Sequence, residues 1–204
     1  MKILRESAIG KVNKMSDIEL LRPLNHIGTN TIKTARLVLR RFQFSDHTDM
    51  FRWASNPDVV KYLSYAPHKT INETKAVLKS WIKNYSKTTT YNWAIEFQGV
   101  VIGNIAVVTQ DDECFTCHLG WQIDKPYWNK GIMTEAANAV VNYLFDEVHY
   151  DRIASGCDTR NIGSSKVMQK IGMTLEGTFR RYCYQKDGSI GDKFYYAILE
   201  SDRH

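Results

Sequence analysis

The segment Gly120-Trp-Gln-Ile-Asp-Lys-Pro-Tyr-Trp-Asn-Lys-Gly-Ile-Met-Thr134 runs from β-rich residues through a proline turn and a glycine into the longest helical pattern of the chain. At a helix start several backbone N–H groups lack intrahelical partners and point one way, and the helix dipole places roughly +0.5 charge there. Such a start is a site for a diphosphate. Gly131 permits a close backbone approach, and Lys130 adds a formal charge beside it. Those two residues alone would serve an ordinary capped turn equally well. Upstream, Cys114, Cys117 and His118 have metal-ligand residue types. No second pair follows at zinc-ribbon spacing, and strand alternation sends the two cysteines to opposite faces, so no metal is expected. Trp81, Tyr85, Tyr91 and Trp93 offer an aromatic wall for a substrate cleft, although aromatics at helix and strand spacing more often build a core.

Elements with readable periods must position these residues. Residues 36–42 alternate polar and apolar over a strand's length, and Ser45 or Asp46 caps a helix to about Ser55. Asn56-Pro57 breaks it, a short helical piece reaches Leu63, and a second amphipathic helix runs from Ile71 to near Tyr85. Residues 91–97 and 100–109 flank Gln98-Gly99 as a hairpin, and residues 114–123 add a third run, predicting an antiparallel meander. A long helix covers 132–148, with Ala136, Ala137, Val140, Val141, Leu144 and Phe145 on one stripe. A strand at 151–158, a helix at 163–171 ending at Gly172, and a closing pair at 179–185 and 194–199 around Asp187-Gly188 complete the order βααβββαβαββ. That order predicts an α/β fold of the α+β kind. Residues 1–30 show no sustained period and read as an N-terminal extension or linker, with a single domain over 31–204.

Composition narrows the classes. A chain of 204 residues with 43% hydrophobic and 24% charged residues has enough apolar surface for one sizeable core. The net charge of +5 is spread without a like-charged run, so nucleic acid is not demanded and a small polyanion suits the excess as well. Four cysteines with no secretory leader read as reduced thiols, which implies a cytoplasmic protein. Nowhere do 18 apolar residues run together, so no membrane span is expected.

Residues Tyr127-Trp-Asn-Lys-Gly-Ile-Met-Thr-Glu-Ala136 resemble the coenzyme-binding signature of the GNAT N-acetyltransferases, especially the branch of ribosomal-protein N-terminal acetyltransferases. Thr34-Ala-Arg-Leu-Val-Leu-Arg40 is similar to that branch's opening strand, Val101-Ile-Gly-Asn-Ile105 to its third strand, and residues 161–173 to its final helix. Trp128 and Met133 depart from the usual Gln or Arg and Gly or Ala of the signature. Since the backbone does the binding there, the departures bear little on the cofactor.

The resemblance implies a mixed, mostly antiparallel, twisted sheet of six to seven strands flanked by about four helices and splayed in the middle to admit coenzyme. It implies acetyl-CoA as co-substrate, held at the diphosphate by amides of Asn129, Lys130, Gly131, Ile132, Met133 and Thr134. The pantetheine arm would meet peptide groups of Trp121, Gln122 and Ile123 and the side chain of Asn161. Many relatives carry a general-base Glu on the fourth strand where this chain has His118, whose ordinary pKa of ~6.5 suits the same duty; a strand histidine with only a structural role is the alternative. Ser164 matches a serine that returns the proton to the coenzyme thiolate, with helix capping as the other reading and Ser165 as an adjacent candidate. Arg160, Lys166 and Lys170 face either the coenzyme's 3'-phosphate or solvent. No cysteine has the setting of a nucleophile, so direct attack in a ternary complex is expected. The acceptor is a primary amine, either a protein N-terminus or a small molecule, selected within residues 62–90. A non-catalytic coenzyme-binding module of the same fold is the alternative function. Relatives often dimerise, so a homodimer is an open state.

Overall fold

The computed structural model describes residues 22–184 and 188–203; residues 1–21 of the expected extension and Asp187 of the expected turn lie outside them. The elements are β1 (Ile32–Lys33), β2 (Leu37–Arg40), α1 (His47–Ala54), α2 (Pro57–Val60), α3 (Ile71–Asn84), β3 (Asn92–Phe97), β4 (Val100–Asp111), β5 (Thr116–Ile123), α4 (Ile132–Tyr143), β6 (Arg152–Asp158), α5 (Ile162–Lys170), β7 (Thr174–Tyr184) and β8 (Ile190–Leu199). The strands form one sheet in the order β1-β2-β3-β4-β5-β6-β8-β7. Every pairing is antiparallel except β5 with β6, which α4 connects as a crossover.

Alternation along the strands decides what covers each face. Leu37, Leu39, Trp93, Ile95, Ile105 and Leu119 point to one side and bury against α4, the turn that follows it and α5 through Ala137, Val140, Leu144 and Met168. Phe42, Ala94 and Val101 point to the other and pack on Met50, Trp53 and Leu78 of α1 and α3. On that second face Arg40 donates to both Asp46 oxygens at 2.8 and 3.0 Å and to Glu96 at 2.6 Å, joining β2, the start of α1 and β3. The hairpin turn at Gln98 and Gly99 has φ of 51° and 80°, the pair of left-handed residues that a two-residue β-turn of this hand requires.

Sheet and helices exceed the expected numbers slightly, with eight strands and five α-helices among the described residues. The additional strand is β1, two residues inside the Thr34-turn region that donates a short edge to β2. The long helix keeps α geometry to Tyr143 and continues as a π turn over Leu144–Val148, ending at His149 with φ 70°. β7 and β8 start earlier than the sequence pattern indicates because register shifts at Leu175/Gly177 and Phe179/Cys183 break the period-two signal. Residues 25–30, read from sequence as linker, lie against the domain: Thr29 Oγ1 donates to Thr90 O at 2.8 Å, Trp93 Nε1 donates to Asn30 O at 2.7 Å, and Tyr143 donates to Gly28 O at 2.7 Å.

The sheet opens in its middle. β5 and β6 pair only from Thr116–Leu119 against 152–155. Beyond that point β6 stays with β8 while β5 stays with β4, and the two arms part. Ser155, buried at the fork, donates its hydroxyl to Leu119 O at 2.9 Å and so satisfies the last carbonyl before the gap.

Candidate active site

At the end of the gap lies the start of α4. Gly131, its N-cap, has φ 72°, and Asn129 has φ 59°. No side chain caps this helix, and its first intrahelical bond runs from Glu135 N to Gly131 O at 3.0 Å. The amides of Ile132, Met133 and Thr134 therefore have no acceptor within the helix. The loop is clamped from behind. Arg36 donates through Nε to Glu135 at 2.6 Å and through Nη1 to Lys130 O at 3.1 Å, and Thr34 donates to Glu135 at 2.6 Å. Burial opposes the charged form of Glu135, but the bonds from Thr34 and Arg36 outweigh it and hold the carboxyl below its usual range. The Lys130 ammonium sits 5.7 Å from the Tyr127 ring centroid.

Strand geometry sorts the three β5 residues. Asp124 N donates to Ile102 O at 2.7 Å, which marks that pair as hydrogen-bonded. Alternation then makes Asn104 and Gln122 a bonded pair and turns the peptide groups of Trp121 and Ile123 toward the gap. Trp128 reaches back to donate its Nε1–H to Ile123 O at 2.8 Å. The Gln122 peptide group is occupied by β4, and its side chain serves the opposite face. There Tyr65 donates to Gln122 Oε1, Gln122 Nε2 donates to Asn104 Oδ1 at 2.8 Å, and Asn104 Nδ2 donates to Asn92 Oδ1 at 3.0 Å. Burial pushes the Tyr65 phenol up to about 12, so it stays a donor.

This ladder floors a pocket of about 470 Å³, walled by Trp81, Tyr91, Val108 and Gly120. Among the described residues that line it, none carries a formal charge. The aromatic quartet of the sequence reading divides. Trp81 reaches the pocket, whereas Tyr85 donates to Asn92 O at 2.7 Å and accepts from Phe42 N, and Tyr91, though it borders the pocket, is buried with Trp93 in the core.

His118 lies on the same face of β5 as Gln122 but outside the pocket wall, its ring 5.5 Å from that of Tyr195. Burial, with a smaller contribution from the Lys193 charge, pushes its pKa down to about 4, and its buried Nδ1 has no hydrogen-bond partner among the described residues. Asn161 caps α5, its Oδ1 accepting from Ser164 N at 3.2 Å. Ser164 and Ser165, adjacent in sequence, differ in commitment. Ser165 is buried with its hydroxyl 2.8 Å from Tyr196 Oη, while the half-buried Ser164 hydroxyl has no partner among the described residues. Arg160 is engaged with Asp158 at 2.9 Å, and Lys166 and Lys170 are exposed. Cys114 sits exposed in a turn and Cys117 is buried in the core; burial raises the Cys157 thiol to about 11, which keeps it neutral.

Sequence reasoning missed the Tyr65–Gln122–Asn104–Asn92 ladder and the Arg36–Glu135 clamp. The one available signal was polar residues at inward positions of apolar strands, at Asn92 and Asn104. Which of them meet depends on strand register.

Three comparisons bear on this geometry. Residues 36–174 match the family model described as acetyltransferase (GNAT) domain. The uncharacterized N-acetyltransferase YnaD of Bacillus subtilis (strain 168) is 34% identical over 171 residues, covering 84% of this chain and 98% of that protein. The crystal structure of a GNAT-family acetyltransferase from Bacillus anthracis superposes with a TM-score of 0.75 at 33% identity, over 84% of this chain and 99% of that one. The fold is shared further with RimL, a ribosomal L7/L12 alpha-N-protein acetyltransferase solved in complex with coenzyme A, at a TM-score of 0.76 and 19% identity over 83% and 98% of the two chains.

Proposed function

The chain belongs to the GNAT family of N-acetyltransferases, and on that premise we propose that it moves the acetyl group of acetyl-CoA to a primary amine by direct attack in a ternary complex. The observation that carries this reading is the parting of β5 from β6 beside an uncapped helix start. The amides from Gly131 to Thr134 receive the diphosphate, with Asn129 and Lys130 shaping the approach. The pantetheine arm lies along the gap-facing peptide groups of Trp121 and the amide of Ile123, whose carbonyl already accepts from Trp128, as an added strand would, and meets Asn161 across the gap. Coenzyme A in the RimL structure supports the same choice of cofactor.

The amine enters from the opposite face through the uncharged pocket. Its lone pair attacks the thioester carbonyl carbon, the C–S bond breaks, and the nitrogen loses a proton as the thiolate gains one. Ser164, with its hydroxyl uncommitted, gives its proton to sulfur and regains one from the water that takes the amine proton. His118 is a poor match for a lasting proton from an alkylammonium, given its pKa of about 4. Water therefore carries the amine proton away, and the acceptor favoured is an amine that is already partly neutral. An α-amino group, at roughly 7.7–8.0, fits this requirement better than a side-chain amine near ~10.4. This points to a peptide or protein N-terminus over a polyamine.

Thiol release from acetyl-CoA tests the reading, run with peptides bearing free Ser, Ala or Thr N-termini beside polyamines and aminoglycosides. Peptide turnover is expected. Turnover confined to small polyamines overturns the acceptor class, and calorimetry showing no coenzyme A binding overturns the cofactor assignment.

A further inference from the structure

Past the pocket, the same face of the sheet carries a second surface that the transfer reaction does not use. Phe179 and Tyr182 on β7 are 44% and 57% exposed, an unusual state for two aromatic rings in contact. Ring centroids step from Tyr182 to Phe179 at 5.3 Å, from Phe179 to Tyr195 at 5.3 Å, and from Tyr195 to His118 at 5.5 Å. The run ends on β5 two residues from Gly120, which lines the pocket. Lys193 lies over this shelf with its ammonium 5.1 Å from the Tyr182 centroid and 5.7 Å from that of Tyr195. Gly156 makes room for it, since a Cβ there would stand 2.6 Å from Lys193 Cε and 2.8 Å from Phe194 O. Arg180 and Arg181 are exposed beside a hollow of about 820 Å³, and neither has an acidic partner among the described residues. The one acid among the described residues that line the hollow, Asp192, accepts the Arg181 amide at 2.8 Å.

We propose that this β7–β8 shelf seats an acidic stretch of a polypeptide acceptor, a few residues downstream of the amine that enters the pocket. The proposal rests on the amine-acceptor reading above and adds the partner's length and charge. The aromatic path spans about 16 Å, the reach of about five residues of extended chain. Among the described residues the three cations against one acid select negative charge. Among the described residues β7 has a single neighbour in the sheet, and its outer edge offers main-chain pairing to an extended polypeptide, a contact that nucleic acid cannot make.

The test compares three acceptors sharing one N-terminal residue: a dipeptide amide, an octapeptide with Asp and Glu at positions four to seven, and the same octapeptide with Asn and Gln there. The acidic octapeptide is expected to exceed both others in kcat/KM by about ten-fold at low salt, with the advantage shrinking as ionic strength rises past the point where the Debye length is ~8 Å. The double variant Arg180→Glu, Arg181→Glu removes the advantage and leaves the dipeptide amide unchanged. Fluorescence anisotropy of the labelled acidic octapeptide on the coenzyme-loaded protein reads binding without turnover. Equal turnover of the two octapeptides in wild type, or an equal loss on all three acceptors in the variant, overturns the proposal, as does displacement of the acidic peptide by nothing but single-stranded RNA. Failure of the proposed function is separate and visible: no acceptor, the dipeptide amide included, then releases thiol.

Discussion

His118 gives a pH dependence that can be worked from its surroundings. The ring is largely buried against Tyr195, near the Lys193 charge, with Nδ1 unpartnered among the described residues. Its pKa falls from the ordinary 6.5 to about 4 in the folded chain. Between these values the unfolded chain binds a proton that the folded chain refuses, so stability must fall as pH falls. Linkage gives a loss of about 2 kcal/mol from pH 7 to pH 5 and ~3 kcal/mol in full once the pH is below 4. His118→Phe keeps the ring contact and deletes the titration. Urea denaturation of both proteins at pH 7 and pH 5 should show the wild type losing about 2 kcal/mol more than the variant. Parallel declines would refute the burial argument. The same two proteins separate the catalytic roles: the acid limb of the pH–rate profile should keep its position in His118→Phe, because the acceptor amine sets it. A limb near the ordinary histidine value that vanishes in the variant would restore His118 as the base.

Other consequences follow from single residues. Ser165→Ala should lower stability by about 1 kcal/mol through loss of the buried Tyr196 bond while sparing turnover per folded molecule, and Ser164→Ala should do the reverse; thermal melts and thiol release together distinguish them. Gly131→Ala meets a φ of 72°, costs about 1 kcal/mol of backbone strain, and should weaken coenzyme A binding by calorimetry with kcat little altered. Asn104→Ala strips partners from both Asn92 and Gln122 in a buried setting, for a loss of about 2–4 kcal/mol by urea denaturation. Its acceptor KM should rise while the coenzyme Kd holds.

Local pattern was enough for much of this molecule. The hairpin at Gln98-Gly99, the apolar stripe of α4, and the glycine that opens that helix are all encoded within a few residues, where hydrophobic period and left-handed turn chemistry act directly. The capping Asn161 is local for the same reason, since its partner is Ser164. Residues 25–30 escaped because their hydrogen bonds go to Thr90, Trp93 and Tyr143, far along the chain, and nothing in their own composition announces this. The early start of β7 was hidden by bulges, which erase alternation while leaving the strand intact.

Registry and packing decided the rest. The resemblance grouped Gln122 with Trp121 and Ile123; β-strand alternation gives its peptide group to β4 and its side chain to the pocket. Ser164 and Ser165 are indistinguishable as letters; the turn of α5 buries one on Tyr196 and leaves the other uncommitted. His118 carries the residue type of a base, but a pKa belongs to an environment, and only the sheet brings Tyr195 and Lys193 beside it. The chain's own order thus determined which elements form and where the glycine turn into α4 falls. Which side chains meet in the gap between β5 and β6 was decided by strand register and the parting of the two arms, because those contacts join residues whose sequence separation carries no periodic signal.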